Sequence, residues 1–217
     1  MKKKYKLVLL SAAAATLFLS ILIKFRPIFT TDVFLAQKLQ SKGDIFFPLF
    51  MQFVSIFGQP TIAIATVLIM SVVFLLFSHH REAVFLLFTF PADGVGYLIK
   101  DIVNRPRPNQ DLVYIISTAP GSSFPSNHVI HYVVFFGFLF VAMFFANRLP
   151  KWLRIFVGIC CIGLIFFVSV SRVYLGVHWP TDVIGGYLVG FILLAIILYF
   201  YRKAIRAGSS FEPVSIK

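Results

Sequence analysis

The sequence predicts an all-α fold: a polytopic membrane protein with six transmembrane helices in one bundle over residues 1–217, both termini cytoplasmic. Composition carries the first half of that prediction. Hydrophobic residues make up 59% of the chain and charged residues 13%, whereas a soluble domain holds roughly 45–50% and about 25%. Charge placement carries the second half. The chain has 20 Lys and Arg against 8 Asp and Glu, a net charge of +12, which would suit nucleic acid if the cations shared one patch. Instead they fall mainly between the apolar runs, as topology signals do. The expected partner is therefore the lipid bilayer, with no nucleic acid.

Residues 7–23 form an uncharged apolar run between Lys6 and Lys24. At about 1.5 Å per residue the run reaches roughly 25 Å, enough for a bilayer core. The Lys2-Lys3-Lys4 start resembles a signal peptide, but no small-x-small cleavage site follows, so an uncleaved first helix is expected. Residues 31–40 mix Val33, Phe34, Leu35, Ala36 and Leu39 with polar positions and suit a short interfacial amphipathic helix. The run at 45–77 is broken by Gly58-Gln59-Pro60; it reads as an interfacial entry segment and then a second span over 61–77. Residues 78–82 (SHHRE) are a cytoplasmic turn, with His79 and His80 read as a solvated pair rather than metal ligands.

The third span, 83–103, contains Asp93 and ends with Lys100 and Asp101. An ionisable group inside a span is costly, so Asp93 is either paired with another helix or functional. Residues 105–125 form a loop rich in Pro, Asn, Gly and Ser, of a length that is usually functional or disordered. Spans four, five and six cover 126–146, 153–170 and 183–201, with Arg148, Lys151 and Arg154 in the turn after the fourth. The tail at 203–217 is expected to be flexible. Cys160 and Cys161 are adjacent in an apolar run and read as packing residues. There is no internal repeat, so one domain is expected.

This topology gathers the chemistry. Lys100, Arg105 and Arg107 follow span three, Ser126 and His128 open span four, Arg172 ends span five, and His178 and Asp182 open span six. All emerge on the same membrane face, although two spans separate His128 from Arg172. Lys100, Arg107 and Arg172 together could neutralise a phosphate and its transition state. Ser126 precedes a helix whose first N–H groups would point at an anion. His178 and His128 supply a nucleophile and an acid. Asp182, four residues after His178, could fix its tautomer and support the imidazolium. Metal ligation is the rival use of histidine. His128 and His131 lack the H-E-x-x-H spacing, and three nearby cations would repel a divalent ion, so no metal is expected. His131 reads as a packing or hydrogen-bonding residue.

Lys100-x6-Arg107-Pro108, Pro125-Ser126-Asn127-His128 and Ser171-Arg172-x5-His178-x3-Asp182 closely resemble the tripartite signature of the type 2 phosphatidic acid phosphatase (PAP2) family. The resemblance covers a motif core at 100–182. It implies a metal-independent lipid phosphatase, without cofactor, working through a phosphohistidine: His178 attacks phosphorus, Asp182 orients it, and His128 protonates the leaving oxygen. Lys100, Arg107, Arg172, Ser126 and the backbone of Asn127 would hold the phosphoryl oxygens. One departure stands out. The family usually has glycine at Asn127, where glycine allows close approach to phosphate and unusual dihedrals; asparagine keeps the backbone N–H and could narrow the pocket.

The expected activity is hydrolysis of a membrane lipid phosphate or diphosphate at the extracytoplasmic face of a bacterial cell membrane. Candidate substrates are undecaprenyl diphosphate, first on family grounds, then phosphatidylglycerol phosphate, phosphatidic acid or a lipid A phosphate. The alternatives are transfer of the phosphoryl group to another lipid or sugar, and a weakened lipid-binding or transport protein in which Asn127 marks lost chemistry.

Overall fold

A computed structural model describes residues 3–41 and 46–209, with no strand among them. The helices are α1 (Lys3–Phe25), α2 (Thr30–Gln40), α3 (Phe46–Ile56), α4 (Pro60–Leu76), α5 (His80–Leu87), α6 (Pro91–Val103), α7 (Asn127–His131), α8 (Gly137–Phe145), α9 (Lys151–Tyr174) and α10 (Pro180–Ser209). A π-helical stretch, Tyr132–Phe136, joins α7 to α8 in one rod. Five of these units are long and apolar enough to cross a membrane, and the pair α3–α4, bent by 61°, brings the number to six if it counts as one span.

Proline sets where several helices begin. Pro60, Pro91 and Pro180 each open a helix. There the missing N–H costs nothing and the fixed φ favours the first turn. Pro91 marks a turn at 88–90 within the third span: α5 and α6 together, His80–Val103, form one unit long and apolar enough to cross a membrane, in keeping with the expected 83–103. α6 stops at Asn104, a left-handed residue (φ 52°, ψ 49°) whose N–H bonds to the Lys100 carbonyl at 2.8 Å. This is the αL way of ending a helix, and it leaves Lys100 in the last turn. The fifth span extends beyond 153–170 to Tyr174, so Arg172 lies within α9. The sixth begins at Pro180 rather than Val183 and continues to Ser209, so the first part of the expected tail is helical; residues 210–217 lie outside the described residues.

Helix position in the bundle follows from burial. The rod from Asn127 to Phe145 has 72% of its apolar window inside the protein, against 6% for α1 and 17% for α9. The central rod is therefore the core, and the outer faces of α1 and α9 present Leu10, Leu17, Phe18, Ile155, Phe156, Ile159 and Phe166 outward, as a lipid-facing surface does. The C-terminal end of α1 packs with Val103 and Phe124, Phe124 lies against Gly185 near the start of α10, and α1 runs alongside α10, so the N-terminal end of α1 and the C-terminal end of α10 lie away from Lys100 and Asp182. α3 crosses α9 near that latter end: Ser171 donates to the Met51 carbonyl at 2.7 Å, and Arg172 donates to Ser55 Oγ at 2.5 Å.

Candidate active site

The three motifs meet at one end of the bundle. The last turn of α6 supplies Lys100, the following loop Arg107, the start of the central rod Ser126 and His128, the last turn of α9 Arg172, the approach to α10 His178 and the first turn of α10 Asp182. Lys100, Ser126, Arg172, His178 and Asp182 are all buried. Polar groups withdrawn from solvent in this way need partners, and the partners define the site.

Arg107 ties the long loop together. Its guanidinium donates to the carbonyls of Gly121 (2.9 Å), Pro120 (3.0 Å), Ser122 (3.2 Å) and Val177 (2.7 Å), and its Nη1 lies 3.4 Å from His178 Nε2. Lys100 Nζ donates to the Ser122 and Ser123 carbonyls at 2.7 and 3.1 Å. Both cations therefore order the loop and converge on the imidazole. The loop expected to be functional or disordered is thus held in place by the site's own cations.

His178 precedes α10, and its proximity to Asp182 comes from the turn entering that helix rather than from a helical turn. Its Nδ1 lies 3.4 Å from Asp182 Oδ2, close enough for charge interaction but without hydrogen-bond alignment. Oδ2 itself accepts from the Trp179 backbone N–H at 2.8 Å and from Ser123 Oγ. Burial and the nearby Arg172, Lys100 and Arg107 draw the His178 pKa well below the usual histidine value. The imidazole is therefore neutral at pH 7 and carries a lone pair. Burial also lowers the Arg107 pKa, with Asp182 opposing.

A set of supports has no motif behind it. Arg105 is 2% exposed and reaches four acceptors: Asp182 Oδ1 at 2.5 Å, Asp32 Oδ2 at 2.7 Å, Thr181 Oγ1 at 2.7 Å and the Pro27 carbonyl at 2.7 Å. Asp32, 1% exposed, also accepts from the Thr181 N–H (3.0 Å) and hydroxyl (2.6 Å). Helix α2 is therefore a strap across the site end rather than the expected amphipathic helix: its apolar and polar side chains do not separate onto two faces, Asp32 and Ala36 being buried while Phe34 is exposed with Lys38 over its ring. Gln37 donates to the Leu112 carbonyl, and Gln40 to those of Tyr114 and Tyr174. The sequence marks Arg105 only as one more cation on this face. For Asp32 the sole signal is that it is the only acid in α2.

Two glycines allow close approach. A Cβ at Gly58, in the α3–α4 break, would collide with the His128 ring, so the break also presses backbone against that imidazole. A Cβ at Gly96 on α6 would collide with Asn127 Oδ1. The Asn127 side chain thus lies against α6, its Nδ2 3.5 Å from the Asp93 carbonyl oxygen. Only Ser78 and Asn104 have positive φ among described non-glycine residues, so position 127 needs no glycine dihedral. Asp93 is paired across helices, its Oδ2 3.5 Å from His131 Nδ1, and His131 stacks on Phe135. Ser126 Oγ, Arg172 Nε and His178 Nδ1 are buried polar atoms of the cluster without hydrogen-bond partners. Among the described residues no three His, Cys, Asp or Glu side chains are grouped to hold a metal ion.

Residues 81–206 match the PAP2 superfamily. Phosphatidylglycerophosphatase B of Bacillus subtilis is 31% identical over 130 residues, 58% of this chain and 61% of that protein. Undecaprenyl-diphosphatase of Sulfolobus acidocaldarius is 36% identical over 101 residues, 44% of this chain and 43% of that protein. The chain thus spans less than two thirds of the length of these curated relatives. In the fold comparison, the crystal structure of a transmembrane PAP2 type phosphatidylglycerolphosphate phosphatase from Bacillus subtilis gives a TM-score of 0.77 at 22% identity, covering 90% of this chain and 96% of that one. The family match covers more than half of the chain and the fold agrees: this protein belongs to the PAP2 superfamily.

Proposed function

We propose that the protein hydrolyses a phosphate monoester or diphosphate on a membrane lipid, through a phosphohistidine on His178 and without a metal. The observation that carries this reading is the setting of His178. One ring nitrogen faces Asp182 at 3.4 Å, and the other faces Arg107 at 3.4 Å within a group of cations from three segments. The Nε2 lone pair attacks phosphorus, and the bond from phosphorus to the lipid oxygen breaks. His128 gives that oxygen its proton, a contribution of about 10²–10⁴-fold. Water then attacks the phosphohistidine, His128 takes the water's proton, and phosphate leaves with His178 restored. Asp182 supports the imidazolium, and Lys100, Arg107, Arg172, Ser126 and the Asn127 N–H take the phosphoryl oxygens.

The extracytoplasmic face is assigned on charge. Lys3, Lys4, Lys6, Arg81, Arg148, Lys151, Arg202, Lys203 and Arg206 belong to the end opposite the site, which the positive-inside bias makes cytoplasmic. Asn127 turned toward Gly96 favours a working site over the weakened binding protein. Substrate candidates are the lipids in the names of the two relatives, phosphatidylglycerol phosphate and undecaprenyl diphosphate, and a lipid A phosphate, since a lipid A 4'-phosphatase of Bacteroides thetaiotaomicron is 32% identical over 117 residues, 50% of this chain and 48% of that protein.

The test is phosphate release by purified protein in detergent with excess EDTA, against a panel of these lipids, with His178→Ala as control. Release that survives EDTA and vanishes in the variant is expected, and the panel ranks the headgroups. Release abolished by EDTA, or retained by the variant, overturns the phosphohistidine reading. A phosphorylated acceptor in place of free phosphate identifies the transferase.

A further inference from the structure

The end of the bundle opposite the site carries a second polar cluster that the proposed reaction does not use. The turn from α4 to α5 meets the turn from α8 to α9 around a cavity of about 380 Å³, lined by Ser78, His79, Arg81, Glu82, Asn147 and Arg148. Its chemistry is that of an anion site. Helix α5 opens without a side-chain cap. Among the described residues no carbonyl accepts from the N–H groups of His80, Arg81 and Glu82. Uncapped N–H groups at a helix start carry partial positive charge and favour an anion.

The side chains agree with the backbone. Arg81 and Arg148 line the cavity and form no hydrogen bond or ion pair with any described residue. The His79 side chain is 9% exposed and its Nε2 has no partner, while Nδ1 lies 3.7 Å from Glu82 Oε2. The other Glu82 oxygen accepts from Tyr201 at 2.6 Å. The one acid in the cavity wall is thus engaged from behind, and two arginines and free amides remain, with the buried His79 ring, unpartnered at Nε2, in the wall. A planar guanidinium paired with a helix start suits a phosphate.

The source of the phosphate follows from the same helix. α5 continues into an apolar groove of about 620 Å³ shared with α10 and lined by Phe85, Phe88, Ile196 and Phe200. A free inorganic ion has no use for such a groove; an acyl chain does. We propose that this end binds an anionic phospholipid, with its headgroup phosphate among Arg81, Arg148, His79 and the α5 N-terminus, and a chain along the α5–α10 groove. This assignment needs only the membrane-embedded bundle and stands or falls apart from the reaction at the other end.

The test is native mass spectrometry of the full chain in detergent, titrated with phosphatidylglycerol, phosphatidylcholine or inorganic phosphate. Wild type is expected to retain phosphatidylglycerol about tenfold better than phosphatidylcholine, and the double variant Arg81→Gln/Arg148→Gln to lose that preference. His178→Ala is expected to retain it in full. Both arginines are exposed, so their replacement leaves the buried packing unchanged. Unaltered phosphatidylglycerol retention in the double variant would overturn the site. Displacement of the lipid by millimolar inorganic phosphate would overturn the lipid as its ligand. Loss of retention in His178→Ala would reassign the bound lipid to the other end of the bundle.

Discussion

Two histidines of this bundle face a carboxylate at nearly the same separation: His178 and Asp182 at 3.4 Å, His131 and Asp93 at 3.5 Å. Their surroundings differ. Asp182 is fully buried and takes donors from Arg105, Ser123 and the Trp179 backbone. The Asp93 side chain is 34% exposed, and its Oδ1 has no partner. His178 is surrounded by Lys100, Arg107 and Arg172, whereas His131 lies against Phe135. A histidine–carboxylate distance does not identify a reactive histidine. What distinguishes the pair at His178 is a carboxylate held from several sides and cations placed to receive the charge of a substrate.

The largest break in this comparison is removal of the proposed nucleophile. His178→Ala is expected to lower lipid phosphate release by about 10⁴-fold or more, whereas His131→Phe lowers it by less than about tenfold. Rates of phosphate release on the same lipid decide; comparable losses in the two variants would erase the distinction. Next comes the support behind Asp182. Arg105→Ala leaves Asp32 and Asp182 as buried charges without their shared partner, and breaking such a pair costs about 3–5 kcal/mol. Thermal unfolding in detergent should show it, with Asp93→Asn near wild type.

The pH profile sharpens the comparison further. Burial first, and then the neighbouring cations, depress the His178 pKa. The neutral form therefore persists as pH falls through about 6.5, and if it is the attacking form the acid limb of kcat/KM is expected well below that. Arg172→Gln removes one cation, which favours the imidazolium and moves the limb upward. A limb that stays in place would break the electrostatic account. The smallest effect is expected at Gly96→Ala: the new methyl displaces the Asn127 side chain, and the rate falls by less than about tenfold, with the wild-type fold kept by circular dichroism.

Much of the site was legible because its chemistry sits at the ends of apolar runs, and apolar runs fix topology. Once 83–103, 126–146, 153–170 and 183–201 are read as spans, Lys100, His128, Arg172 and His178 must share a face. Hydrophobicity and spacing are local properties and can be read one segment at a time. The same locality made α2 recognisable as a short helix, but the separated faces expected of it are absent and its role as a strap was not legible.

The tertiary structure decided what the segments do to one another. Asp32 and Arg105 are 73 positions apart and meet at 2.7 Å only because α2 folds over the start of α10. Gly58 presses on His128 only because the α3–α4 break is directed into the site. Asn127 fits only because Gly96 on another helix leaves it room. Contacts of this kind depend on which helix faces stack, and no periodicity within a single helix records the face of its neighbour. By itself, the sequence determined the class of fold, the membrane setting and the gathering of cations and histidines at one end. Packing decided how the carboxylate, the strap and the glycine contacts hold that chemistry in place.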